Sequence, residues 1–338
     1  MLVELDTQVS TFVLGAIRAV CTGGEAVPLS QPGATAIAAF GAHGLGLSEP
    51  IDMSAPAPTP AALGEAMPSS HAAALVADAL CVSALADGTL DEARISTVVT
   101  YVDVLDADAG WLEDLEASTQ PDLGPVIADM GGKNLSSVTD GRVDFSKVDD
   151  VSSWLLPYEG DGVDPMLAER YRSLGALPEG TFGRHFFDFY DGHGFAMPGE
   201  PGAVNEMFGT PHDCTHLLSG YDTTPQGELL VSTFTSQMHP VFPMEGHVLP
   251  VIYSWHLGIE FNKLAGSYRG ALDLEKFWVA WERGQTTQAD TFSSAFDFWS
   301  HVEDPLSKVA DAFSVPPLHP RFEAHSDAVA GVDYHPIA

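Results

Sequence analysis

Residues 211 to 228 read PHDCTHLLSGYDTTPQGE. His212 and His216 stand four apart, Asp213 adjoins the first, and Glu228 follows His216 after a gap of eleven residues. On a helix, positions i and i+4 share one face about one turn apart, so both imidazoles can reach one object. Asp213 sits about 100° round from His212, close enough to join as a ligand or to orient that ring from behind. The stretch SGYD followed by TTPQG carries turn residues, which predicts a hairpin whose second helix Glu228 opens. Two imidazoles with one or two carboxylates suit a borderline divalent cation, zinc first, then iron or manganese. With an open position such an ion polarises a carboxylate or phenolate, or binds water or dioxygen. Redox chemistry requires iron or manganese, because zinc keeps its oxidation state. Cys214 lies about 200° from His212 on the wheel and reads as a small buried hydrophobe.

The elements that must hold these residues are helical. The pattern predicts helices over 165–174, 181–191, 204–219, 227–238, 248–268, 273–286, 291–302 and 305–313. Phe277, Trp278 and Trp281 form an aromatic stripe that reads as core. Nearer the start, TFVLGAIRAV reads as a helix and SEPIDMSAPAPTPAALG as a connection. Leu75, Val76, Ala79, Leu80, Val82 and Leu85 mark one apolar stripe; Ile95, Val98, Val99, Val102 and Leu105 mark a second. DADAGWLEDLEAS then starts a third helix, giving a small module of antiparallel hairpins. Residues 118–164, rich in Gly, Asp, Ser and Pro, read as a connection. No βαβ alternation, phosphate loop or Gly-x-Ser-x-Gly elbow is present. The expected fold is all-α, with a helical module over 1–117 and a second domain over 165–338.

Composition narrows the partners. The 338 residues carry 47 acids against 14 Lys and Arg, a formal charge of −33. Such a surface repels nucleic-acid phosphates and anionic headgroups, so no nucleic acid and at most peripheral membrane contact is expected. Three widely spaced cysteines, Cys21, Cys81 and Cys214, fit a reducing compartment. The N-terminus MLVELDTQVS lacks the basic region of a signal peptide, and no apolar run reaches membrane-spanning length. A cytoplasmic protein is expected.

Two family resemblances add to this reading. Residues 177 to 190, LPEGTFGRHFFDFY, precede the histidine motif by about a helix and a loop. Their order resembles the ubiquinone (coenzyme Q) biosynthesis family known as Coq-four, over roughly residues 165 to 318. That family carries Leu-Pro-x-Gly-Thr-x-Gly, then His-Asp-x-x-His, eleven residues and Glu. Leu177, Pro178, Gly180, Thr181 and Gly183 match the first segment, and His212, Asp213, His216 and Glu228 the second. The resemblance implies a helical fold with a divalent metal, usually zinc, beside an apolar groove for an isoprenoid tail. It implies oxidative removal of a ring carboxylate with hydroxylation at the same carbon, on a prenylated quinone precursor or a related hydrophobic molecule. It also implies peripheral membrane association, contact with other biosynthetic proteins and a homodimer. Phe182, Phe186, Phe208, Phe242, Trp255 and Phe261 are the groove-lining candidates. The N-terminal module resembles the tellurite-resistance TerB-like family through Ala86, Asp87, Gly88 and Glu92, and reads as a packing or interaction module; Asp78, Asp87 and Glu92 are its metal candidates.

Other histidines, His185, His193, His239, His247 and His256, read as hydrogen-bonded structural groups, with His239 the first to promote because it ends the Glu228 helix. Two further functions share the motif's chemistry. One is a non-catalytic prenyl-lipid scaffold. The other is an HD-type phosphohydrolase, which also carries adjacent His-Asp but needs a separate upstream His and a distant Asp.

Overall fold

The computed structural model describes residues 1–49, 56–148, 150–261 and 267–324. Its α-helices in chain order are α1 (Thr7–Cys21), α2 (Gln31–Ala39), α3 (Pro60–Ala66), α4 (Ser70–Ala84), α5 (Glu92–Val102), α6 (Leu112–Ala117), α7 (Gly124–Val138) and α8 (Val151–Leu155). They continue as α9 (Pro165–Arg172), α10 (Phe182–His193), α11 (Glu206–Ser219), α12 (Pro225–Met238), α13 (Leu249–Trp255), α14 (Leu274–Thr286) and α15 (Leu306–Ala312). Among the described residues there is no strand; two isolated bridges pair Thr181 with Pro305 and Leu257 with Arg269. The chain is all-α.

Two compact units result, Met1–Gly131 with Val248–Glu282, and Gly132–His247 with Arg283–Ala338. In the first, α1 packs against α2, α4 and α5. Asp6, Ser69 and Asp91 cap α1, α4 and α5 by accepting from backbone N–H groups that helix geometry leaves unpaired. The stripe Leu75, Val76, Ala79, Leu80, Val82 and Leu85 is buried, as are Ile95, Val98, Val102 and Leu105. Alanines interleaved on α4 let neighbouring helices come close. Asp87 pairs with Arg94 and accepts from Ser30, and Asp78 accepts from Trp111, so both serve packing.

The units differ from the sequence-based division. The 35 residues Val248–Glu282, expected with 165–338, belong with the first unit. Phe277, Trp278 and Trp281 are buried there, with Trp278 edge-on to Phe40 at 4.9 Å between ring centres. Residues 118–164, expected as a connection, contain α7 and α8, and Val126, Met130, Leu135 and Val138 of α7 are buried. The stretch read as an earlier connection holds α3, and its residues 50–55 lie outside the described ones.

Two expected helices also stop short. The one expected over 248–268 ends at Trp255, because Gly258 adopts φ +72° and Leu257 turns to pair with Arg269; residues 262–266 are outside the described ones. Over 291–302 only the short turn Phe298–Ser300 is helical. Asp290 and Asp297 accept from backbone N–H groups just downstream, an alternative to continuous helix for which aspartate is suited.

In the second unit, Thr181 caps α10 and Gly194, in the left-handed region, ends it. Phe182, Phe186 and Tyr190 recur every four residues and bury one face against Tyr171, Cys214 and Phe298. Phe186 lies 4.9 Å from Phe298 and 4.7 Å from Tyr190 between ring centres. Truncating such a residue to alanine costs about 3–5 kcal/mol, so this face fixes where α10 lies. No helix among the described residues is long and apolar enough to cross a membrane.

Candidate metal centre

The centre is built on the α11–α12 hairpin. Asn205 caps α11 through Met207 N–H at 3.0 Å, and Gly220 closes it at φ +78°. Pro211, inside α11, removes one helical hydrogen bond immediately before His212. Thr224 then caps α12, with Pro225 at its first position. Glu228 therefore sits in the first turn, where the helix dipole favours a carboxylate. A Cβ on Gly227 would stand 2.0 Å from the Asp222 carbonyl oxygen, so the residue before Glu228 has to be glycine for the turn to fold back this tightly.

His212, His216 and Glu228 each bring one ligand atom to a common point, all within 4.8 Å of one another. Nε2 of His212 and Nε2 of His216 each stand 3.5 Å from a different oxygen of Glu228. This is the group of metal-ligating side chains found among the described residues.

The far side of each ring is held. His216 Nδ1 lies 2.9 Å from the Tyr221 carbonyl oxygen, so Nδ1 carries the proton and donates. That leaves Nε2 as the nitrogen facing Glu228, with its lone pair free for a cation once it is deprotonated. This Nε2 is buried and has no hydrogen-bond partner. A buried polar atom without a partner costs about 1–3 kcal/mol unless something occupies it, and the three donors together could hold a divalent cation. His212 Nδ1 is 3.1 Å from Asp213 Oδ1, and Tyr190 donates to Asp213 Oδ2 at 2.5 Å. Asp213, expected as a fourth ligand or as an orienter, lies outside the His212, His216 and Glu228 group. Its carboxylate is turned onto the back of His212 and restrained by Tyr190. Phe189 stacks on the His216 ring at 5.7 Å, and Phe208 lies tilted against the His212 ring at 5.4 Å, between ring centres.

Charge follows the geometry. Burial works against charging His212, but its bonds to Asp213 and Glu228 prevail and carry its pKa up to about 10. Burial likewise opposes ionising Glu228, yet the His216 and His212 rings hold it far below the usual carboxylate range. Without a metal the centre is therefore an imidazolium–carboxylate pair, and a cation entering it displaces a proton. Burial, with Asp213 adding, pushes the Tyr190 hydroxyl well above the ordinary phenol, so it stays a donor. Cys214 is fully buried and its thiol is pushed up by burial, as a hydrophobe-like cysteine should be.

Phe182 and Phe186 are inside the aromatic core and packed by rings. Phe242 has φ +48° and is 40 % exposed. Trp255 and Phe261 belong to the first unit. Of the second-unit candidates, Phe208 is the one beside a ligand ring. His239 is not in the ligand group: Nδ1 meets both oxygens of Asp290 at 2.9 and 2.8 Å and Nε2 meets the Ser137 carbonyl at 3.0 Å. His247 pairs with the Ser137 hydroxyl at 2.6 Å, and burial holds its pKa down to about 3. Tyr190 and Tyr221 were not marked by the sequence pattern, since a tyrosine on an apolar face reads as core until its hydroxyl or carbonyl partner is known.

The fold and centre define an all-α protein with a His-His-Glu cluster able to hold a divalent metal. No family model matches the chain, and neither a curated protein nor a solved structure shows significant similarity to it.

Proposed function

We propose that the protein is a metal-dependent enzyme of the ubiquinone-biosynthesis type, acting on a prenylated aromatic ring or a related hydrophobic molecule. The observation that carries the metal reading is His216 Nε2, a buried nitrogen turned to Glu228 while the other ring nitrogen is held from behind. Zinc is the first candidate, with iron or manganese as alternatives if the ring is oxidised. When bound, the metal would supply polarisation of a phenolate or carboxylate oxygen, and iron or manganese could also take part in electron transfer. His212, His216 and Glu228 would hold it. Asp213 and Tyr190 keep His212 in one orientation, and Phe208 offers an apolar ring beside it. The choice of substrate class rests on the resemblance of the Leu-Pro-x-Gly-Thr-x-Gly segment, whose Thr181 caps α10, the helix that carries Tyr190.

The test is metal analysis of protein purified without chelator, with extraction of bound lipid and incubation with a prenylated hydroxybenzoate. Stoichiometric metal and loss of the ring carboxylate, abolished in His216→Ala, is the expected result. Bound prenyl lipid with function indifferent to metal stripping would replace the enzyme with a lipid-carrying scaffold. The phosphohydrolase reading is less well supported, because Asp213 faces His212 rather than the ligand point; hydrolysis of a phosphoester panel that needs Asp213 would restore it.

A further inference from the structure

Arg283, near the end of α14, is 5 % exposed and its contacts are unusual for a buried cation. Nε donates to the Pro316 carbonyl at 3.1 Å, and Nη2 donates to Pro316 at 2.8 Å and to Ser219 at 2.8 Å. The guanidinium lies over Tyr221 at 5.1 Å and over Phe234 at 5.5 Å, measured to the ring centres. Nη1 is buried without an acceptor. Its hydrogen-bond partners are carbonyls rather than a carboxylate. Burying a guanidinium this way is costly, and an apolar side chain of similar volume would commonly be as stable or more so. The contacts show what the cation does instead. Ser219 is the last residue of α11, Gly220 turns the chain in the left-handed region, and Tyr221 supplies the carbonyl that fixes His216. Arg283 grips this corner from both sides, by the Ser219 carbonyl and by the Tyr221 ring. Its approach depends on Gly284, where a Cβ would stand 2.2 Å from the Phe234 carbonyl oxygen of α12. One planar fork thus joins the end of the histidine helix to the helix that carries Glu228.

We infer that Arg283 is a positioning residue for the metal centre, holding the Ser219–Tyr221 corner so that the Tyr221 carbonyl sets the tautomer and direction of His216. The inference rests on the metal reading above, and it makes a prediction opposite in sign to simple electrostatics. A buried cation close to a metal site should weaken metal binding by repulsion, so removing the charge should tighten binding. If Arg283 positions His216, removing it should loosen binding. A lysine should not substitute, because an ammonium on a flexible stem lacks the rigid fork that spans the two carbonyls while sitting over the two rings.

The experiment is cobalt(II) binding by the full chain in wild type, Arg283→Lys and Arg283→Met, read by affinity and by the visible absorption bands that report ligand geometry. Melting of the metal-free proteins is followed in parallel. Both variants should bind about tenfold more weakly, at the low end for second-layer residues, and both should show shifted bands. A folded variant with wild-type affinity and bands, or one that binds more tightly, overturns the inference. So does lowered stability with unchanged bands, which is a packing role alone, and so does failure of both variants to fold. If Arg283→Met alone fails to fold, Arg283→Lys decides. Wild type that takes up no cobalt refutes the metal reading itself, a separate outcome from variants that match a metal-binding wild type.

Discussion

Two buried histidines, one in each unit, begin alike and end differently. His256 in the first unit has Nε2 3.0 Å from the Leu85 carbonyl and 3.3 Å from that of Ala86, while Nδ1 accepts from Leu272 N–H at 3.3 Å. Both nitrogens are satisfied, burial lowers its pKa, and the ring ties α4's end to the chain after α13. His216 in the second unit is anchored just as firmly at Nδ1, but its Nε2 is left bare beside a carboxylate. Burial alone therefore says little about what a histidine does. What separates the structural ring from the ligand-type ring is the second nitrogen.

The sharpest way to break this comparison is to truncate both. His216→Ala should lose metal entirely while the rest of the second unit stays folded. His256→Ala should keep full metal occupancy and lose about 1–3 kcal/mol of stability, because two carbonyls and an N–H lose their partner. Metal content and chemical denaturation on each variant measure both effects. Metal loss in His256→Ala would erase the distinction.

Next in size is Asp213→Asn. An amide can still touch His212 Nδ1 but no longer supplies a charged acceptor, and such outer partners typically contribute 10–100-fold to metal affinity. Competition with a chelator of known affinity gives the number, and a loss beyond about a thousandfold would instead mark Asp213 as a direct ligand.

A pH series sharpens the same point. His212 has its folded pKa raised to about 10, above the ordinary value of about 6.5. Its contribution to the metal-free protein is complete below about 6.5 and is lost as pH rises through about 10. Metal binding displaces that proton, so affinity should rise about tenfold per pH unit from about 7 towards 10. Calorimetric titration at several pH values should thus show metal-free stability falling while metal affinity climbs; parallel trends would contradict the assignment.

Much of this was legible in the sequence, and the pattern of misses has a physical cause. The i, i+4 histidines, the turn and the glutamate of the next helix are local, and a local pattern suffices to place three ligands on one hairpin. The apolar stripes of α4 and α5 are legible for the same reason. Tyr190 and Arg283 lie 23 residues before Asp213 and 64 residues after Ser219, and no periodicity links groups that far apart. The grouping of Val248–Glu282 with the first unit, rather than with 165–338, was hidden for the same reason: the aromatic stripe of α14 reads as core, but nothing in it names Phe40 as its neighbour. The helix expected over 291–302 failed because Asp290 and Asp297 bind the backbone themselves, a competition that apolar spacing does not register.

The smallest effect expected is that of Tyr190→Phe, and it tests how far the anchoring of His212 extends. The substitution keeps the ring against Phe186 and removes only the hydroxyl that donates to Asp213. Asp213 then retains His212 but is free to rotate, and the ring behind which it stands loses some of its fixed direction. Because the hydroxyl acts through a carboxylate that acts through an imidazole, the loss in metal affinity should be about two- to fivefold, below that of Asp213→Asn. The metal-free protein should lose about 1 kcal/mol for the missing bond. His256 has no comparable layer, since its partners are backbone atoms that cannot rotate away. Measured with the same chelator competition, an effect as large as that of Asp213→Asn would mean that Tyr190, not the carboxylate, sets the direction of His212.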